Sequence, residues 1–248
     1  MKTVLITGCS SGFGLETARR FLDGGWQVVA TMRTPREDVL PRSERLRVLP
    51  LDVTDGDSIR DCLAAAGPID ALVNNAGIGL LGALEGIPMV RVRELFETNT
   101  FGTIAMTQAV LPQMRTRREG VIVNVTSSVT LKSLPLLSVY TASKAAVNAF
   151  TESLALELAP FGVRAALVLP GRAPATRFGD NARSRMEGSI PEPYADVAGA
   201  VFADWAQQPA DAVTHAQDVA QAVWRAVTEP GSPARLAAGV DAQALLPA

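Results

Sequence analysis

The stretch "TVLITGCSSGFGLE", residues 3–16, sets a short apolar run directly against a turn holding Gly8, Gly12 and Gly14. Such a run reads as a buried strand, and Gly14–Asp23 reads as the helix that follows it. Glycines between a strand and a helix let the backbone approach a pyrophosphate, and the helix N-terminus adds free N–H groups and a positive dipole end. The spacing is G-x-x-x-G-x-G, not the G-x-G-x-x-G of the familiar dinucleotide fingerprint. A tight packing turn explains three glycines almost as well, so the loop needs support from the rest of the chain.

Periodicity supplies it. Residues 2–7, 26–31, 46–53, 70–77, 120–127 and 162–171 read as strands that are apolar on both faces, as strands of a covered parallel sheet are. Helical patterns separate them at 14–23, 58–66, 89–117 and 138–158, and a last helix is expected at 216–228 before a short tail. This alternation predicts an α/β fold of Rossmann type: a doubly wound parallel sheet with helices on both faces, forming one domain over residues 1–248. Residues 172–216, rich in Pro, Gly, Asp and Arg, break the rhythm, as a functional lid or a disordered loop does.

In an open α/β sheet, ligands bind beyond the carboxyl ends of the strands. The unusual polar and glycine residues fall there: Gly8–Gly14, Arg33, Asp52, Asn74–Gly77, Ser127 and Pro170–Gly171 follow strands one to six in turn. Six strands with six such clusters argue for one ligand site along that edge.

Composition narrows the chemistry. The chain has 248 residues, a net charge of −2, one histidine and two cysteines. Nothing in that balance calls for nucleic acid, and the basic "RTRRE" at 115–119 reads as a solvated helix C-terminus. No apolar stretch approaches the ~18 residues of a membrane helix. Cys9 and Cys62 have no metal-ligand or disulfide spacing, and one histidine leaves no zinc site or histidine triad to expect. Cys9 reads as a packing thiol and His215 as a surface or helix-cap residue. A cytoplasmic protein acting on a small molecule is the expectation.

The choice of dinucleotide turns on the end of strand two. An NAD-binding chain would carry an acidic residue there for the ribose 2′-OH; this chain has Met32 and Arg33. A guanidinium suits a 2′-phosphate, and the Ser11 hydroxyl adds a donor from the turn. NADP(H) is therefore favoured over NAD(H).

The stretch "SSVTLKSLPLLSVYTASKAAV", 127–147, carries the reactive groups. Tyr140 and Lys144, spaced i,i+4, emerge on one helix face. A phenol titrates near 10 and is a poor acid–base group at neutral pH. An ammonium about 4 Å away interacts with a phenolate by roughly 4 kcal/mol at an effective dielectric of 20, enough to lower the phenol by up to about three units. On this reading Tyr140 is poised to give and take the proton of a carbonyl/alcohol pair.

Taken together these residues resemble the classical short-chain dehydrogenase/reductase family over nearly the whole chain. The family's T-G-x-x-x-G-x-G appears as Thr7–Gly14, its N-N-A-G as Asn74–Gly77 and its Y-x-x-x-K as Tyr140–Lys144. Its strand-five serine, thirteen residues before the tyrosine, falls on Ser127, with Ser128 as the alternative. The resemblance implies Tyr140 as general acid/base, Ser127 holding the substrate oxygen, Lys144 on the nicotinamide ribose and Asn99 anchoring a relay water. It further implies a cofactor cradle of Gly8, Ser10, Ser11, Gly12, Phe13 and Gly14. Asp52 and Val53 would face the adenine, Asn75, Ala76 and Gly77 the adenosine-side ribose and backbone, and Pro170 and Gly171 the nicotinamide. A homodimer or homotetramer through the helices at 89–117 and 138–158 is implied as well.

One departure stands out. The family's P-G-x-x-x-T is one residue longer here, "PGRAPAT", which leaves Thr176 out of register and makes Arg172 either a solvated loop residue or a ligand contact. In the excursion, Phe178, Met186, Tyr194, Phe202 and Trp205 suit either a hydrophobic substrate lid or an ordinary core face, and Arg183 and Arg185 suit an anionic substrate. The expected function is NADP(H)-dependent interconversion of a carbonyl and a secondary alcohol. The alternative is a catalytically silent dinucleotide-binding sensor or scaffold of the same fold; loss of the Tyr, Lys or Ser would mark it, and all three are present. A sugar-nucleotide epimerase is disfavoured because the extra C-terminal length of such enzymes is missing.

Overall fold

The computed structural model describes residues 1–36, 38–176, 179, 185–186, 188–209 and 211–246. Seven parallel strands form one sheet in the order β3-β2-β1-β4-β5-β6-β7. They are β1 (Thr3–Ile6), β2 (Gln27–Met32), β3 (Leu46–Pro50), β4 (Ala71–Asn74), β5 (Gly120–Val125), β6 (Val163–Pro170) and β7 (Arg235–Ala238). The order reverses direction at β1, and the first six strands follow the doubly wound pattern.

Successive side chains of a strand point to opposite faces, so each central strand feeds two cores. Val4 and Ile6 of β1, Val28 and Ala30 of β2 and Ala166 and Val168 of β6 pack on one face with Phe21 and Val223. These belong to α1 (Gly12–Asp23) and α7 (Ala216–Thr228). Leu5, Val29, Leu72 and Ile122 point to the other face, where they meet α2 (Gly56–Ala66), α4 (Gly102–Arg117) and α5 (Ser138–Leu158). Phe21, Trp26 and Trp224 stack edge to face at 5.1–6.4 Å where α1 meets α7. Arg20 lies 4.0 Å over the Trp224 ring. A Cβ at Gly24 would strike that ring, so only glycine lets the chain turn there. Burying Phe21 alone is worth about 2–3 kcal/mol.

Five local features differ from expectation. The tail after α7 contains β7, a seventh strand held by pairing with β6 from Leu167↔Arg235 to Pro170↔Ala238; "RLAA" is too short and alanine-rich to announce a strand by itself. β3 is an edge strand with no fully buried residue, and it stops at Pro50. The single helix expected over 89–117 is two, α3 (Met89–Phe96) and α4, joined by a π-helical turn at Glu97–Phe101. The excursion carries its own helix, α6 (Ala195–Gln207), and a one-turn α8 (Val240–Gln243) follows β7.

Candidate active site

The phosphate loop leaves β1 and enters α1. Gly8 and Gly12 adopt φ of 76° and 60°, a region that glycine occupies without strain. Gly14 has an ordinary φ but no room: a Cβ there would fall on the Gly8 carbonyl and lie 2.5 Å from Asn75 Nδ2. Asn75 fills that corner by donating to the Thr7 and Gly8 carbonyls at 2.9 and 3.2 Å. The Thr7 hydroxyl accepts from the Asn75 and Ala76 N–H groups at 3.0 and 2.9 Å. Ser11, the N-cap of α1, forms no side-chain cap bond, which leaves its hydroxyl for a ligand at a positive helix end. Cys9 is fully buried, and burial pushes its thiol up to about 12, as a packing role requires.

Before this loop lies a cavity of about 450 Å³. Its walls contain Gly8, Ser10, Ser11, Gly12, Phe13, Arg33, Asp52, Val53, Asn75, Ala76 and Gly77, eleven of the expected cofactor residues. Arg33 and Ser11 thus face one space. Thr54 donates to Asp52 Oδ1 from its N–H at 2.9 Å and its hydroxyl at 2.7 Å. Those bonds, with Arg33 nearby, hold the carboxyl below the usual range. Met32, Leu51, Thr54 and Ile78 also line the cavity; each follows or ends a strand, a signal that pointed to these loops without naming the residues. Thr98, another wall residue, sits in the π-turn, which no sequence pattern announced. Thr176 is a further wall residue and lies opposite Gly12: a Cβ at Gly12 would be 3.6 Å from Thr176 Cβ. The longer loop therefore still delivers its threonine to the cavity.

The reactive cluster begins where the cavity wall ends. A Cβ at Gly77 would stand 3.2 Å from Asn99 Oδ1 and 3.3 Å from Lys144 Nζ. Asn99, in the π-turn, accepts the Ile78 N–H at 2.8 Å and donates to the Ile78 carbonyl at 3.0 Å and to Ser143 Oγ at 3.2 Å. Ser143 Oγ donates to the Tyr140 carbonyl at 2.8 Å. Lys144 Nζ donates to the Val125 carbonyl, at the end of β5, at 3.1 Å. Tyr140 shares a hydrogen bond with Ser127. Ser128 is buried beside it in a one-turn 3₁₀ helix that Ser127 caps. Asn99, Ser127, Tyr140 and Lys144 are all at least nine-tenths buried.

The electrostatics differ from the expected lowering of the phenol. Burial pushes Tyr140 up to about 12, and the bond to Ser127 offsets only part of that. Burial also pulls Lys144 down to about 8. Desolvation disfavours the charged form of both groups and is the largest influence on each. A phenol so placed is protonated at neutral pH, the state a proton donor needs.

Pro170 ends β6 and Gly171 follows it. The Gly171 N–H donates to Thr214 Oγ1 at 2.8 Å, and its Cα packs on the Asp241 carboxylate. Arg172 is partly buried and does not line the cavity. Its guanidinium donates to the carbonyls of Trp205, Pro209 and Ala212 at 3.3, 2.9 and 3.4 Å. Met186, Tyr194 and Trp205 pack with Leu81, Leu136, Ala198 and Val201, which is a core face, whereas Phe202 is 40% exposed. Arg185 lines the cavity; Phe178 and Arg183 lie outside the described residues. His215 caps α7, its N–H donating to Asp218 Oδ2 at 2.8 Å.

A doubly wound parallel sheet with a glycine turn after β1 and a Ser–Tyr–Lys–Asn cluster at the same edge defines a dinucleotide-dependent oxidoreductase. Comparison with known proteins names the family. Residues 2–187 match the short chain dehydrogenase model. Human retinol dehydrogenase 8 is 36% identical over 257 residues, covering 94% of this chain and 80% of the relative; its bovine counterpart is matched over 58% of its own length. The 3-ketodihydrosphingosine reductase of Bacteroides thetaiotaomicron is 41% identical over 198 residues, 78% of this chain and 71% of that one. The solved closed form of a serine dehydrogenase complexed with NADP+ superposes with a TM-score of 0.79 at 31% identity, covering 95% of this chain and 93% of that one. The chain belongs to the short-chain dehydrogenase family, and is thus an NAD(P)-dependent oxidoreductase acting on CH–OH groups. No helix among the described residues is long and apolar enough to cross a membrane.

Proposed function

We propose that the protein interconverts a carbonyl and a secondary alcohol with NADP(H), Tyr140 acting as general acid/base. The carrying observation is the continuity of the site: Ser11 and Arg33 line one cavity with Gly77, where an added Cβ would meet Lys144 and Asn99. The donor set fits a phosphorylated dinucleotide: the α1 N-terminus, the uncommitted Ser11 hydroxyl and the Arg33 guanidinium would hold its phosphate oxygens. When bound, the nicotinamide supplies the hydride. Ser127 holds the substrate oxygen by hydrogen bonding, and Tyr140 delivers a proton to that oxygen in reduction and removes it in oxidation. Lys144 orients the cofactor ribose and, when protonated, favours the phenolate. Asn99 fixes the Ile78 backbone and anchors the relay beside Lys144.

The surroundings of Tyr140 support an apolar substrate. Leu80, Ile87, Leu95 and Val139 are buried against it, with Val129 and Leu137 at the margin. Two relatives are named for apolar compounds, retinol and 3-ketodihydrosphingosine. Residues 172–216 act as the lid. Phe101 and Leu156, 54% and 79% exposed on the α4 and α5 side, suit a homo-oligomer contact in a cytoplasmic enzyme.

The test is steady-state kinetics on a panel of hydrophobic ketones and aldehydes with NADPH and NADH in parallel. NADPH should be preferred; Arg33→Ala should raise its KM about tenfold and leave NADH unchanged, as loss of a charge-assisted phosphate contact of roughly 1.5 kcal/mol requires. Tyr140→Phe should bind cofactor and lose at least a hundredfold in kcat. Undetectable turnover of the whole panel by the wild type would favour a dinucleotide sensor instead.

A further inference from the structure

Ser127 is held by a chain of hydrogen bonds that the reaction itself does not require. Asn148, two turns beyond Tyr140 on α5, donates from Nδ2 to Thr130 Oγ1 at 2.9 Å. The Thr130 hydroxyl donates to the Ser127 carbonyl at 2.8 Å, and the Thr130 N–H reaches the same carbonyl at 3.3 Å. Within this turn the Ser127 hydroxyl accepts the Val129 N–H at 3.3 Å, so the turn also sets the direction of Oγ. The turn thus hangs from the helix that carries Tyr140.

The partners of Asn148 are unequal. Its side chain is buried, and its Oδ1 has no protein partner among the described residues. Its one paired group points at the turn that bears the serine.

We propose that Asn148 and Thr130 are positioning residues that fix Ser127 Oγ against Tyr140. The proposal rests on the assignment of Ser127 and Tyr140 to catalysis. The bond from Ser127 holds the phenol below the value burial alone would impose, so a loosened turn raises Tyr140 further and slows proton transfer at a given pH.

Thr130→Val keeps the side-chain volume and removes the hydroxyl; Thr130→Ser keeps the hydroxyl; Asn148→Leu removes the amide. Each is assayed in the full-length enzyme for kcat, NADPH dissociation constant, melting temperature and the pH profile of alcohol oxidation. In Thr130→Val, kcat should fall at least tenfold with cofactor affinity within twofold, and the acid limb of the oxidation profile should move to higher pH. Thr130→Ser should restore kcat to within threefold. Asn148→Leu should mimic Thr130→Val, and the double variant should be no worse than either single one. A lower melting temperature with kcat and the acid limb unmoved overturns the proposal, as does a Thr130→Ser variant as impaired as Thr130→Val. Ser127→Ala and Tyr140→Phe run alongside: if both keep wild-type kcat, the underlying assignment fails; if both are impaired and Thr130→Val is not, only the brace fails.

Discussion

Asn99 pairs reciprocally with Ile78, accepting its N–H at 2.8 Å and donating to its carbonyl at 3.0 Å. The π-turn makes this possible: its wider coil projects Asn99 toward the loop after β4, and Thr103 Oγ1 donates to the Asn99 carbonyl at 2.9 Å. Asn99→Leu strands both backbone groups of Ile78. It should destabilise the protein by about 2 kcal/mol, lowering the melting temperature by roughly 4–8 °C for a chain of this size. Unchanged melting in a calorimeter would show that the pair carries no stability.

The glycines of the phosphate loop should respond differently to alanine. Gly14→Ala places a methyl on the Gly8 carbonyl, and backbone cannot give way as a flexible side chain does. About 1–3 kcal/mol of stability should be lost through overpacking. At Gly12 the methyl meets, among the described residues, only Thr176, at 3.6 Å, and the cost is about 1 kcal/mol for the positive φ. Gly12→Ala should therefore stay folded and bind NADPH more weakly, since the methyl projects across the cavity. Thermal melts read against NADPH titrations separate the two; equal behaviour of the variants would refute the distinction.

Lys144 should make stability pH-dependent. Its folded value, about 8, lies below its ordinary 10.5, so between these limits the unfolded chain binds more protons than the folded one. Stability from this residue is present above about 10.5 and is lost as pH falls through 8. Tyr140 works in the opposite sense, but only above pH 10, because its folded value is about 12. Chemical denaturation at pH 7.5 and pH 9.5, wild type against Lys144→Met, isolates the lysine, since Cys9 and Cys62 are common to both. The stability advantage of Lys144→Met should shrink at the higher pH; an advantage constant with pH would contradict the buried, partly neutral lysine.

Arg172 fastens the loop after β6 to the end of α6. Its three carbonyl partners, Trp205, Pro209 and Ala212, lie in and beyond the last turn of that helix, where a cation also meets the negative end of the helix dipole. Arg172→Ala should speed amide exchange across 205–213 while strands β1–β5 stay protected. Arg172→Lys should not restore it, because one ammonium cannot reproduce a planar fork. Unaltered exchange in the alanine variant would remove this role.

Six of the seven strands and the edge where the ligand site sits were legible in the chain, since alternation of strand and helix patterns is local. β7 was not, because Arg235–Ala238 becomes a strand only by pairing with β6. The π-turn was hidden for a similar reason: "ETNTF" continues a helical pattern, and the bonds that reward the wider turn come from Ile78 and Ser143, far along the chain. Arg172 read as a loop residue because its carbonyl partners lie 33 to 40 residues away. The sequence by itself determined the fold class, the family and the residues gathered at the strand ends, all of which follow from spacing and turn chemistry. Tertiary structure decided the burial that pushes Tyr140 up and Lys144 down, the placement of Thr176 over Gly12 and the hydrogen bonds that link Asn148 through Thr130 to Ser127. Burial and through-space hydrogen bonds set these, and neither is a property of neighbours along the chain.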